Sequence, residues 1–159
     1  MLGGTILTVH EREPVEARYR ITCDRGWRTR QVEVRVYARA AERSLTLTAD
    51  RGRWYRGGRE QAQVRGCVDV DLGWSPSTNT LPIRRLELGV GEGSGPLVAA
   101  WVRFPELTLE PLTQEYRRLA RRRYRYSSRG GAFTANLEVD ADGLVTRYGR
   151  FWQRLAASR

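Results

Sequence analysis

Strict two-residue alternation of apolar and polar side chains recurs along this chain, and it restricts the chain to sheet structure. Val32, Val34 and Val36 alternate with Gln31, Glu33 and Arg35. Leu45, Leu47 and Ala49 alternate with Ser44, Thr46 and Thr48, and Ala17, Tyr19, Ile21 and Cys23 with Arg18, Arg20 and Thr22. A stripe of Phe133, Ala135, Leu137 and Val139 repeats the pattern near the C-terminus. Successive side chains of a strand point to opposite faces, so each run reads as a half-buried strand. Turn signals separate the runs: Asp50-Arg51-Gly52, Gly57-Gly58 and Asp140-Ala141-Asp142-Gly143. Gly89 to Gly95, with four glycines and Pro96 behind it, reads as a loop. Leu97 to Phe104 is apolar on both faces and reads as a central strand. The expectation is a mainly β fold, an antiparallel sheet or barrel with at most one or two short helices.

Two segments are ambiguous. Leu112, Tyr116 and Leu119 fit a helical face, but Tyr116, Ala120, Tyr124 and Tyr126 share a strand parity, and the extended reading is preferred for 112–123. Phe151, Trp152 and Leu155 are expected to close one turn of helix over the sheet.

The densest chemistry lies in Gly66 to Leu86. Val68, Val70 and Leu72 alternate with Cys67, Asp69 and Asp71, within a strand expected over Val64 to Leu72. A loop with Pro76, Asn79 and Pro82 follows, and the chain is expected to re-enter a strand over Ile83 to Leu88, carrying Arg84 and Arg85. Two carboxylates on the face of a core strand need partners or water. Pairing with Arg84 or Arg85 inside the fold is the preferred role, and hydrogen bonding to a ligand is the other. Adjacent strand residues point to opposite faces, so at most one arginine is expected to meet the carboxylates. Trp54 and Trp74 can stack on a sugar or line an acyl tunnel, or serve as core or rim residues. Thr78-Asn79-Thr80 can cap a turn or reach a ligand. The candidate ligand-binding set is therefore Trp54, Asp69, Asp71, Trp74, Asn79, Arg84 and Arg85.

The run GCVDVDLGWSPSTNTLPIRRL resembles the signature of the bacterial family described as putative glycolipid-binding. Cys23-Asp24-Arg25-Gly26-Trp27-Arg28-Thr29-Arg30 matches a second element of that family. Tyr124-Arg125-Tyr126, Phe133 to Val139 and Asp142-Gly143-Leu144-Val145 match a third. Order and spacing agree from about Arg18 to the C-terminus. One departure stands against the resemblance: members of the family usually carry more residues ahead of this start, a tryptophan among them, so a strand is expected to be missing here or supplied differently. The resemblance implies a strongly curved antiparallel sheet, a half-barrel or barrel, holding a glycolipid or other amphipathic molecule in its concave face without catalysis. The family-like region is taken as about 18–159, within one domain of 159 residues.

Composition narrows the alternatives. No apolar run approaches the length of a membrane-spanning helix, and Met1 to Val9 lacks the basic start of a secretory signal, so the expected location is the cytoplasm. Net charge is +10, yet all 28 basic residues are arginine, spread among 18 acids, which points to codon bias more than to a tuned phosphate-binding surface. The exception is Glu115 to Arg129, with seven arginines and no further acid. There tyrosine and arginine interleave over 116–129, as in single-strand nucleic-acid binders, although no recognised nucleic-acid motif accompanies them. A third reading is glycoside chemistry by Asp69 and Asp71. Two carboxylates at i and i+2 lie about 6 to 7 Å apart, within the range of glycosidase pairs, but projecting from one strand they would flank a bond poorly. Cys23 and Cys67 have no metal-ligand spacing, and His10 has no evident orienting partner. No cofactor, metal or specific nucleic acid is expected.

Overall fold

A computed structural model describes residues 1–39 and 41–156. The first half of the chain is an antiparallel meander: β1 (Leu2–His10), β2 (Glu13–Cys23), β3 (Thr29–Ala38), β4 (Ala41–Asp50), β5 (Arg53–Arg56) and β6 (Arg59–Glu60), paired in sequence order. The second half forms a curled half-barrel of seven strands. These are β7 (Asp69–Leu72), β8 (Leu97–Val102), β9 (Leu109–Ala120), β10 (Arg123–Ser128), β11 (Phe133–Val139), β12 (Val145–Tyr148) and β13 (Trp152–Gln153), again in sequence order. All its neighbours are antiparallel except β7 and β8. Parallel neighbours need a crossover, and residues 73–96 provide it. They hold a 3-10 turn at Pro76–Asn79 and the one α-helix among the described residues, α1 (Thr80–Leu86).

The alternating runs explain both cores. Ile21, Val32, Val34, Leu45 and Leu47 turn inward from the first sheet and pack with Val70, Leu72, Leu81, Ala100 and Val102. A second cluster joins Ile83 to Tyr116, Tyr124, Tyr126, Leu137 and Val139 on the concave face of the half-barrel. Leu81 and Ile83 are two residues apart, which on a helix is about 200° of rotation, so α1 feeds one side chain to each core.

Three local expectations are corrected. Ile83 to Leu88 is not a strand: the chain is helical to Leu86 and stops at Glu87, whose φ is 47°. Ser75 caps the preceding turn by accepting a hydrogen bond from the Ser77 amide. Pro82 falls in the first helical turn, where its missing N–H would have no intrahelical partner anyway. Arg84 and Arg85 fall in the last turn, where cations suit the free carbonyls. Seven residues are too few to display a helical period against the β-branched Thr80 and Ile83.

Second, the strand expected over Val64 to Leu72 begins only at Asp69. A 3-10 turn occupies Ala62–Val64, and Gly66 takes φ of 88° to place its amide 2.7 Å from the Gly52 carbonyl. Third, Phe151, Trp152 and Leu155 form no helical turn; Trp152 pairs with Tyr148 in the hairpin of β12 and β13, and Leu155 is exposed. The preferred extended reading of 112–123 agrees with β9 and its hairpin to β10.

Candidate functional site

The inner face of β7 carries both carboxylates, and they meet different surroundings. Asp69, 5% exposed, is gripped by Arg85: Nη2 lies 2.5 Å from Oδ2 and Nε 3.2 Å from Oδ1. This two-point contact is the strong form of an arginine–carboxylate pair. It occurs because α1 crosses beside β7 and presents Arg85 to the strand. Burial pushes the Asp69 carboxyl upward, with the guanidinium pulling against it. Arg84, one helical step away, leaves in another direction and lies over the Trp27 ring at 5.0 Å.

Asp71 has no ion pair among the described residues. Its Oδ2 accepts a hydrogen bond from Gln114 Nε2 on β9, and that nitrogen also lies 3.1 Å from Tyr126 Oη. Burial pushes the Asp71 carboxyl up to about 6, with the Gln114 hydrogen bond acting in the opposite sense. The neighbouring phenols are also displaced upward, mainly by burial: Tyr126 to about 12, and Tyr116 and Tyr148 in the same direction.

Asp71 stands on the wall of a cavity of about 460 Å³ between the β7–α1 crossover and the last strands of the half-barrel. That volume lies within the range of small-molecule sites. Trp74 and Trp101 line one part of it. Tyr126, Phe133, Tyr148 and Phe151 line another, and five of their ring pairs have centroids 5.7 to 6.2 Å apart. Gly73 lets the backbone run against the Trp101 indole; a Cβ there would collide with its Nε1. Among the described residues the wall carries one acid, Asp71, and one base, Arg129, whose guanidinium lies over Trp101 at 5.0 Å. The indole N–H of Trp74 is buried without a hydrogen-bond acceptor.

The seven candidates from the sequence thus separate. Asp71, Trp74 and Asn79 line the cavity. Asn79 is also tied into the fold, accepting from Tyr116 Oη at 2.8 Å and donating to the Pro76 carbonyl at 3.0 Å. Asp69 and Arg85 pair beside the cavity, and Arg84 lines a different cleft. Trp54 is fully buried in the first core, its indole N–H 2.9 Å from the Cys67 carbonyl.

Sequence reasoning missed Trp101, Phe133, Tyr148, Phe151 and Trp152 as cavity residues, and Gln114 as the donor to Asp71. The parity of Tyr124, Tyr126 and Phe133 was visible, but which stretch of the concave face would stay open depends on where α1 lies.

The remaining candidate groups from the sequence are placed as follows. Both oxygens of Asp69 are held by Arg85, so the two carboxylates do not face a common space. His10 lies at the end of β1, its ring edge-on to Phe104 at 5.6 Å. Burial pushes the Cys23 and Cys67 thiols up to about 11, which keeps them protonated. The tyrosine–arginine interleaving of 116–129 resolves into two faces: Tyr116, Tyr124 and Tyr126 are buried, while Arg117, Arg123 and Arg125 are exposed. Tyr116 and Tyr124 are therefore closed to stacking nucleobases, and Tyr126 faces the cavity rather than the arginine face. No helix among the described residues is long and apolar enough to cross a membrane.

A curled β half-barrel with a helix packed through Ile83 against its buried tyrosines, and an aromatic-walled cavity beside it, defines the class of protein. The chain belongs to the putative glycolipid-binding family, whose sequence profile matches residues 1–154 and so includes β1, ahead of the region that carried the resemblance. Its structure is similar to the crystal structure of a DUF1089 family protein from Pseudomonas aeruginosa. The TM-score is 0.91 at 37% sequence identity, covering 96% of this chain and 85% of that one. A search of curated proteins gave no match.

Proposed function

We propose that this protein is a noncatalytic binding protein for an amphipathic small molecule, a glycolipid being the class that the family description names, and that the ligand enters the cavity beside Asp71. The observation that carries this reading is the cavity's wall: aromatic rings on most sides and one carboxylate without a partner cation. Pockets for amphipathic molecules combine an extensive apolar lining with a few placed polar groups. The volume of about 460 Å³ suits a headgroup with the start of one chain. The concave face beyond the cavity is occupied by Ile83 and the buried tyrosines.

Native mass spectrometry of protein purified without detergent, then mixed with monomeric short-chain glycolipids, tests the reading. A discrete one-to-one adduct is expected. It should weaken when Phe151 and Trp152 are both replaced by serine. Those rings are 59% and 40% exposed, so the fold tolerates their loss. No adduct with any member of the panel, or adducts indifferent to that double substitution, would overturn the assignment.

A further inference from the structure

The cavity's unpaired acid says more about the ligand than its rings do. This chain has 28 arginines and a net charge of +10, yet Asp71 has no ion pair among the described residues. The contrast with Asp69, two residues earlier on the same strand face, is direct: there Arg85 supplies the cation. Gln114 gives Asp71 one neutral hydrogen bond. The one cation on the cavity wall among the described residues, Arg129, lies over the Trp101 ring. A carboxylate withdrawn from water is costly unless a cation joins it. The walls around it suit such a cation as well. Aromatic faces carry negative quadrupole density and attract desolvated ammonium groups, which is how aromatic cages hold quaternary ammonium.

We propose that the cavity binds a ligand bearing an ammonium group, with the cation seated against Asp71 and among the rings of Tyr126, Phe133, Tyr148 and Phe151. This rests on the cavity being the binding site, as argued above, and adds the charge of the headgroup. A neutral sugar would hydrogen-bond to Asp71 but leave its charge uncompensated. The protein's overall positive charge repels cations, so selectivity for one is a local property of this wall. The groups facing Asp71 are Gln114 on β9, Tyr126 on β10 and Tyr148 on β12, with Tyr116 nearby and Arg129 at the wall. Burial keeps the phenols protonated, which leaves Asp71 as the group among them that titrates near neutrality.

Isothermal titration with octyltrimethylammonium and octyl glucoside, both below their micellar concentrations, tests the proposal. The chains match and the ammonium keeps its charge at every pH. At pH 7.5 the ammonium probe should bind at least about tenfold more tightly than the glucoside. That preference should shrink at pH 5, where Asp71 is protonated, and vanish in Asp71→Asn. Circular dichroism melting of Asp71→Asn verifies that it is folded. Equal binding of the two probes, or ammonium binding unchanged in Asp71→Asn, overturns the ammonium assignment. Glucoside binding without ammonium binding does so too, while sparing the cavity as a binding site. Binding of neither probe counts against both.

Discussion

Asp69 and Asp71 share a strand, a face and a chemistry, and the fold gives them opposite treatment. At the Asp69 end of β7 the helix α1 presents Arg85 and closes the charge into a two-point pair. At the Asp71 end the same crossover presents Trp74 and the turn at Pro76, and the carboxylate meets a cavity instead of a cation. One end is finished internally and holds the helix on the sheet. The other end has no cation among the described residues and opens onto the cavity, which is where the proposed ligand would complete it. Residue type did not decide between these roles; the position of each carboxylate relative to a seven-residue helix did.

The comparison can be broken most severely at Arg85. Arg85→Ala strands Asp69 as a buried charge, and losing one partner of such a pair costs about 3–5 kcal/mol. At roughly 2–4 °C per kcal/mol for a domain of this size, the melting temperature should fall by roughly 6 to 20 °C. The double variant Asp69→Asn with Arg85→Met, which removes both charges, should recover most of the loss. A single variant as stable as the wild type would show that the pair does not anchor α1.

Asp71 should respond in the opposite direction. Its carboxyl is raised to about 6, so the folded protein holds this proton more tightly than the unfolded chain does. This group's charge therefore lowers stability above pH 6, and the penalty disappears as pH falls through 6 towards the ordinary carboxylate range. Asp71→Asn removes the penalty. With about 3 kcal/mol at stake, the apo variant should melt roughly 6 to 12 °C higher at pH 8 and show little difference below about pH 4. A variant less stable than wild type at pH 8 would place Asp71 with Asp69 as a structural anchor.

A third carboxylate sharpens the scale. Asp140 caps the β11–β12 turn through the Asp142 and Leu144 amides and receives Arg154 Nη2 at 2.7 Å. Both partners are about a quarter exposed, so the ion pair is worth at most about 1 kcal/mol. Arg154→Ala should shift melting by less than roughly 4 °C. It should instead speed amide exchange in β13, the strand that carries Trp152 over the cavity. A shift as large as that of Arg85→Ala would remove the distinction between buried and surface pairs.

Much of this was legible in the sequence, for a definite reason. Alternation of Val32, Val34 and Val36, or of Leu45 and Leu47, reports the sheet because a strand's period is short enough to repeat several times in ten residues. The same parity put Asp69 and Asp71 on one face. What alternation cannot report is the partner across the face. Arg84-Arg85 read as a strand because seven residues of helix complete barely two turns. With that, the choice of which arginine meets which aspartate was lost, as was the separation of Trp54 into the core and Trp74 onto the cavity. The aromatic wall was hidden for a different reason. Trp101, Tyr126, Phe133, Tyr148 and Phe151 come from separate strands and turns, and only the curl of the half-barrel brings them together.

The most direct test of Asp71 as a ligand's counter-ion, and Asp69 as the helix's, is a carbon-13 NMR titration of the side-chain carboxyls. It is run on the apo protein and again with saturating octyltrimethylammonium. The account predicts an apo midpoint near 6 for Asp71, moving down by at least one pH unit when the cation binds, while the Asp69 resonance is unmoved by the ligand. An Asp71 midpoint in the ordinary carboxylate range without ligand, or one that stays in place with it, would contradict the account.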